Sequence, residues 1–208
     1  MNIMSSTTLV VFISVIFVLC ISPGPNMLLA LANGMNSGLR VALFGILGAN
    51  FGSAILISLV AIGLGSLLTA SLELFNILKI VGALYLAWMA YQLWVTKTVP
   101  IIVKAQAAQS SRKTFIRAAT VSVTNPKGIL FLSVFLPQFI NTSAPLMPQY
   151  LILGSLLIGM DALMMLGYVF LGRRAASLLT SNSLRLLNRI CAAIMGVLAI
   201  GLASFSRS

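Results

Sequence analysis

Apolar residues in this chain are gathered into long blocks separated by short polar stretches. A helix that crosses a bilayer needs about 20 mostly apolar residues. Six blocks fit: Leu9–Leu31, Val41–Leu68, Leu74–Val95, Phe115–Ile140, Tyr150–Leu171 and Leu184–Phe205. In the last, Arg185 and Arg189 shorten the apolar part to Ile190–Phe205, which still crosses if both arginines snorkel to the interface. Met1–Thr8 carries no positive charge and no small-residue cleavage motif ends the first block, so that block reads as a retained span. The pattern predicts an all-α integral membrane protein of six transmembrane helices, one transmembrane domain over residues 1–208.

Composition agrees: 60% of residues are hydrophobic and 7% charged, against roughly a quarter charged in soluble chains. Charge then orients the spans. Thirteen Lys and Arg face only Glu73 and Asp161, with no histidine. The basic residues lie between the apolar runs, which speaks against nucleic-acid binding. Loops after spans one, three and five hold Arg40, then Lys97, Lys104, Arg112, Lys113 and Arg117, then Arg173, Arg174, Arg185 and Arg189. The other side holds Lys79 and Arg207. Lys and Arg are retained in cytoplasmic loops, so both termini are expected outside. The polar stretch Thr96–Thr114 divides the spans three and three: a first half over 1–96, a basic cytoplasmic loop over 97–114 and a second half over 115–208.

Two blocks are interrupted. Ser22-Pro23-Gly24-Pro25-Asn26 falls in the first and Thr124-Asn125-Pro126-Lys127-Gly128 in the fourth, about 102 residues apart. Proline has no N–H and clashes with the preceding turn, so both helices must kink or unwind. Two copies of a three-span unit enter the membrane in opposite senses. The expected architecture is therefore two inverted three-helix repeats with helices 1 and 4 broken, an arrangement in which interrupted helices form a substrate site near the midplane. Unwound backbone is tolerated there because it lines a cavity, and a half-helix N-terminus offers N–H groups to an anion.

Ionisable groups at mid-membrane depth face a cavity or each other. Lys127 suits a substrate carboxylate; Asp161 suits an amino group or a transported proton; the alternative is a structural ion pair. Asp161 is the only carboxylate in the spans, hence the natural proton carrier. Tyr168 lies seven residues further on the same helix face. Asn50 sits among Gly45, Gly48 and Gly52, a small-residue stripe that suits a close helix contact. Cys20 and Cys191 read as small buried hydrophobes, and Met164 and Met165 as packing or lipid-facing residues. No metal site or cofactor is called for.

Ser22-Pro23-Gly24-Pro25-Asn26, Gly48-x-x-x-Gly52, Gly82-Ala83-Leu84-Tyr85-Leu86, Asn125-Pro126-Lys127 and Phe135-Leu136-Pro137-Gln138-Phe139 together resemble the lysine exporter family, especially its homoserine/threonine-resistance branch. The resemblance covers nearly the whole chain. It implies a bacterial inner-membrane efflux carrier for amino acids or their derivatives, driven by proton exchange. It also implies that Pro23, Gly24 and Pro25 form the first signature and Asn125, Pro126 and Lys127 the second. Many members carry Asp after the second glycine of span two, where this chain has Ser53, so Asp161 carries more of the load. An Asp in span five is a feature of the homoserine-type branch and favours a neutral, hydrophilic amino acid over lysine.

The candidate substrate-binding residues are thus Pro23, Gly24, Pro25, Asn26, Asn50, Asn125, Pro126, Lys127 and Tyr168, with Asp161 for proton coupling. The expected partners are a small amino acid, protons and the lipid bilayer, with a homodimer as the candidate assembly and no nucleic acid. A channel needs a continuous polar lining, and an intramembrane enzyme needs a nucleophile with its base or metal ligands; the sequence offers neither. A structural or assembly membrane protein without transport activity fits the hydropathy but leaves Asp161 and Lys127 unexplained.

Overall fold

The computed structural model describes residues 4–64, 72–95, 110–141 and 143–174, with short pieces at 185–186, 189–190, 192–193, 196–197 and 199–200. Within them the chain is helical, with no strand. Helix α1 (Ser6–Ile21) starts at Ser5, whose hydroxyl accepts from the Thr8 amide at 3.1 Å. Helix α2 (Pro25–Asn36) follows the first break at an angle of 54°. Gly38 turns the chain into α3 (Gly38–Leu59) with a φ of +74°, a backbone conformation that strains any L side chain. A π turn, Val60–Leu64, ends it.

Helix α4 spans Leu72–Val95, and α5 spans Ser111–Val123. The second break bends the chain by 47° into α6 (Pro126–Leu130), which continues through a π turn at Phe131–Phe135 and a 3-10 turn at Leu136–Phe139. Helix α7 runs from Leu146 to Arg174. The turn before it is held by Gln149, whose side chain accepts from the Asn141 amide at 2.7 Å and donates to the Asn141 and Pro145 carbonyls.

By length and apolarity two helices can cross a membrane, Gly38–Gly63 and Leu146–Arg174, or four if each bent pair is one span. A six-span count is not reached among the described residues. The sixth expected span is described only in short helical pieces, and most of the 97–114 loop lies outside the described residues. Helix α5 begins at Ser111, inside the stretch read as loop, because the Ser110 hydroxyl caps it through the Lys113 amide. Val10, Leu47, Phe51, Ile62, Trp88, Leu151 and Leu163 are each more than half exposed. So much outward apolar surface suits lipid, not water.

Two packing regimes divide the bundle. One cluster is bulky: Phe12, Ile16, Phe131, Phe135, Leu136 and Leu153, joined by Ala83 and Ala90 of α4. The other is richer in small residues and sulfur: Cys20, Met27, Ala30, Ala42, Ala49, Ala118 and Met165, with Leu29, Ile46 and Val169 among them. Here backbones meet. A Cβ on Gly48 would lie 2.2 Å from the Phe115 carbonyl oxygen, and one on Gly52 would lie 2.7 Å from that of Ala119. The paired positions climb together along both chains, so α3 and α5 run side by side in the same direction. Arg40 and the Arg112–Lys113 pair therefore share one end of the molecule. Gly172, against Leu31 and Met35 of α2, brings Arg173 and Arg174 toward that end too.

This packing sets a contrast. Gly48→Ala drives a methyl into backbone that cannot rotate away, and the expected destabilisation is about 1–3 kcal/mol. Gly167→Ala meets nothing within 4 Å and is expected to leave stability unchanged within about 0.5 kcal/mol. Thermal unfolding of the two purified variants in one detergent checks this; equal melting temperatures would contradict the packing.

Candidate functional site

The two breaks are built alike at their downstream ends. Each second segment has proline at its first helical position, Pro25 in α2 and Pro126 in α6, where the missing N–H costs nothing. They differ in their caps. Asn125 turns its Oδ1 onto the Lys127 amide at 3.1 Å and closes the N-terminus of α6. Before α2 stands Gly24, and no side chain caps that helix.

The upstream end of the first break is closed from the other half of the chain. The last carbonyls of a helix have no intrahelical donor. Here the Lys127 ammonium donates to the carbonyl of Leu19, to that of Ser22 at 3.1 Å, and to the Ser22 hydroxyl. The Ser22 hydroxyl in turn donates to the Leu19 carbonyl at 2.9 Å. Tyr168 Oη donates to the Ile21 carbonyl at 2.9 Å. A cation at a helix C-terminus also complements the dipole, so Lys127 holds the broken end of α1 electrostatically as well as by hydrogen bonds.

Between the two packing clusters lies a cavity of about 60 Å³, which both breaks line. A single water needs roughly 10–15 Å³, so the space is ample for several waters or a compact solute. Its apolar wall includes Leu19, Leu56, Phe131, Leu132 and Leu157, and its polar wall Asn26, Ser53, Ser122, Asn125, Lys127 and Asp161. Asp161 is buried, and its Oδ2 has no hydrogen-bond partner. Cys20 and Lys127 line the cavity together with it. Asn26 Nδ2 donates to Ser122 Oγ at 3.4 Å, Ser122 and Ser53 hydroxyls are 3.1 Å apart, and Asn26 Oδ1 has no partner.

Most of the residues singled out from the sequence gather here. Gly24, Asn26, Asn125, Lys127 and Asp161 line the cavity, while Pro23, Pro25 and Pro126 shape its breaks. Tyr168 reaches the same break through the Ile21 carbonyl without lining the space. Asn50 is not in the wall; its Oδ1 is buried elsewhere without a partner. Met165 is core, 1% exposed.

Ser22, Ser122 and Cys20 carried no functional signal. Ser22 sits in the first motif, but its part in the Lys127 network depends on a residue 105 positions away. Cys20 reads from sequence as a packing residue because nothing local distinguishes it. Ser53, the position at which the resemblance places an acid, does face the cavity. Among the described residues no cluster of His, Cys, Asp or Glu can hold a metal ion.

Comparison with known proteins adds a second line. The LysE type translocator family matches residues 17–206. A homoserine/homoserine lactone efflux protein of Salmonella typhimurium is 40% identical over 159 residues, 76% of this chain and 77% of that protein. An uncharacterized membrane protein of Vibrio cholerae is 33% identical over 80% of this chain and 82% of its own length. A leucine efflux protein of Enterobacter sp. is 36% identical over 62% of this chain and 61% of its own length. No solved structure matches at a significant level.

Removing the ammonium leaves the broken end of α1 unsatisfied in a region without bulk water. Lys127→Met is expected to lose several kcal/mol, since each buried unpaired carbonyl costs about 1–3 kcal/mol. Tyr168→Phe, which strips one donor, is expected to lose on the order of 1 kcal/mol. Unfolding of both variants in detergent, without any substrate, reads the ranking; Tyr168→Phe as damaging as Lys127→Met would refute it.

Proposed function

The chain belongs to the LysE type translocator family, and on that footing we propose that it is a secondary exporter of small amino acids or their derivatives, working by proton antiport. The observation that carries the reading is the single cavity onto which both helix breaks and the Asp161 carboxylate converge. The relatives named for homoserine, homoserine lactone and leucine efflux support small, largely neutral cargo. A cavity of this size with one acid and few polar groups agrees with that chemistry.

The architecture behind it is a pair of inverted three-helix repeats, 1–96 and 115–208, in the bacterial inner membrane. Matching prolines at the start of α2 and α6 support the repeat. The concentration of Arg40, Arg112, Lys113, Arg173 and Arg174 toward one end supports a cytoplasmic location for that end, with both termini outside. The glycine-packed contact of α3 with α5 lies toward this side. Transport then requires that seam to part on the cytoplasmic side and the bulky cluster to part on the other.

Within the cavity Asp161 is the proton-coupling residue, and Pro23, Gly24, Pro25, Asn26, Asn125, Pro126 and Lys127 form the substrate-binding region, with Tyr168 and Asn50 behind it. Protons reach Asp161 from outside, and the cargo leaves as the carboxylate reloads. Protonation and substrate binding at one carboxylate exclude each other, which is sufficient to couple the two fluxes.

Two measurements test this. Cells overexpressing the protein are expected to tolerate inhibitory concentrations of homoserine or leucine and analogues, and everted vesicles to accumulate the radiolabelled amino acid when a proton gradient is imposed. Failure to move any amino acid, with no response to the gradient, would remove the exporter reading. Asp161→Asn is expected to abolish gradient-driven transport while the protein still elutes as a folded species. Undiminished gradient-driven export by that variant would remove Asp161 from the coupling.

A further inference from the structure

Three regions lie beyond the exporter reading: the polar seam where Asn33 and Thr114 meet over Gly45, the Cys20 thiol that shares a cavity with Asp161, and the open N-terminus of α2. The two breaks present matching helix starts to one cavity, yet only α6 is closed by its own asparagine; α2 begins after a glycine with no side chain to accept from its first amides. Its first intrahelical acceptor is used by Leu28, whose amide bonds the Gly24 carbonyl at 2.9 Å. The amides of Asn26 and Met27 belong to residues that line the cavity. First-turn N–H groups that no side chain caps and the positive end of a 12-residue helix make an anion site.

A second observation points independently to a ligand. Asp161 is 9% exposed and lines the same cavity with Oδ2 unpartnered, and Asn26 Oδ1, on a residue 8% exposed, is unpartnered as well. A buried carboxylate oxygen without a donor calls for a cationic partner. Lys127 is occupied in a different way, since its ammonium donates to the end of α1. It lies beside Gly24, 3.7 Å from where a Cβ would stand, and so adds positive field to the start of α2.

We propose that the cavity is a two-pole site for a zwitterionic α-amino acid, with the substrate carboxyl oxygens on the Asn26 and Met27 amides and its ammonium on Asp161. Resting on the exporter reading, this assigns the carboxylate to backbone and leaves Lys127 to support the helix beside it. Side chains of the cargo then fall against Leu56, Leu132 and Leu157. Backbone donors accept a lactone or amide carbonyl in place of a carboxylate, but without its charge.

Gly24 gives the test, because its φ is extended, −139°, and a Cβ there meets only Lys127 side-chain atoms at 3.5 Å or more. Gly24→Asp fits sterically and places a competing carboxylate on the same amides; Gly24→Ser does so without charge. The full chain is reconstituted in proteoliposomes, and KM is measured for homoserine and leucine, each beside its amide and its N-acetyl derivative. The wild type is expected to favour the acid over the amide by about tenfold and to reject the N-acetyl compound, tenfold being a typical effect of a helix-terminus charge in a partly buried site. Gly24→Asp is expected to bring the acid-to-amide ratio near one, and Gly24→Ser to lower it in part. Each ratio is internal to one protein, so a lower yield of a variant does not change it, and Gly24→Ser decides the matter if Gly24→Asp does not insert. Equal KM for acid and amide in the wild type, transport of the N-acetyl compound, or an unchanged ratio in the variants overturns the two-pole site while export stands. Transport of neither amino acid by the wild type overturns both.

Discussion

A bilayer offers no water to a backbone N–H or C=O, and every such group at depth must find a partner inside the protein. The interruption between Ile21 and Pro25 places several carbonyls in that position at once. The solution is a cation and a phenol brought from the other half of the chain: Lys127 on Leu19 and Ser22, Tyr168 on Ile21. Much else is arranged around that requirement. The second break must bring Lys127 to the first, α7 must bring Tyr168, and the helices between must pack closely enough to hold both in place.

Close packing is where glycine enters. In lipid there is little hydrophobic drive between helices, so association depends on dispersion contacts at short range. The backbone contacts at Gly48, Gly52 and Gly172 supply them at the basic end. At the other end Phe12 packs edge-on to Phe139, and Phe131 stacks on Phe135. The cavity lies where the two regimes meet: Cys20 and Met27 border it on one side, and Phe131 and Leu132, at the start of the π turn, on the other.

Much of this was legible in the residues. The prolines announced both breaks because their chemistry forbids an unbroken helix, and the glycine triplet in span two announced a close helix contact, though not that its partner is α5. Asp161 stood out as a carboxylate with no other acid in the spans. Partnership was not legible. The sequence suggested Lys127 for a substrate carboxylate or an ion pair, while its ammonium closes the end of α1; only the fold brings residues 105 positions apart together. Asn50 is polar within span two yet lies outside the cavity, since helix phase alone does not say which face meets which neighbour. The uncapped start of α2 was equally hidden: Gly24 reads as part of a helix breaker, and only the fold shows that no side chain closes the helix after it.

The cross-chain closure of α1 has a consequence for biosynthesis. Lys127 follows Leu19 by 108 positions, and at synthesis rates of about 5–20 residues per second the ribosome needs on the order of 5–20 seconds to supply it. Tyr168, 147 positions beyond Ile21, arrives later still. During that interval the Ser22 and Ile21 carbonyls lack their native donors and Leu19 has only the Ser22 hydroxyl, so the span must wait near the interface, in the insertion machinery or against water. The amino-terminal half is therefore not a self-sufficient unit that the second half merely joins: its first helix acquires a fully bonded end only when the later-made half has entered the membrane beside it.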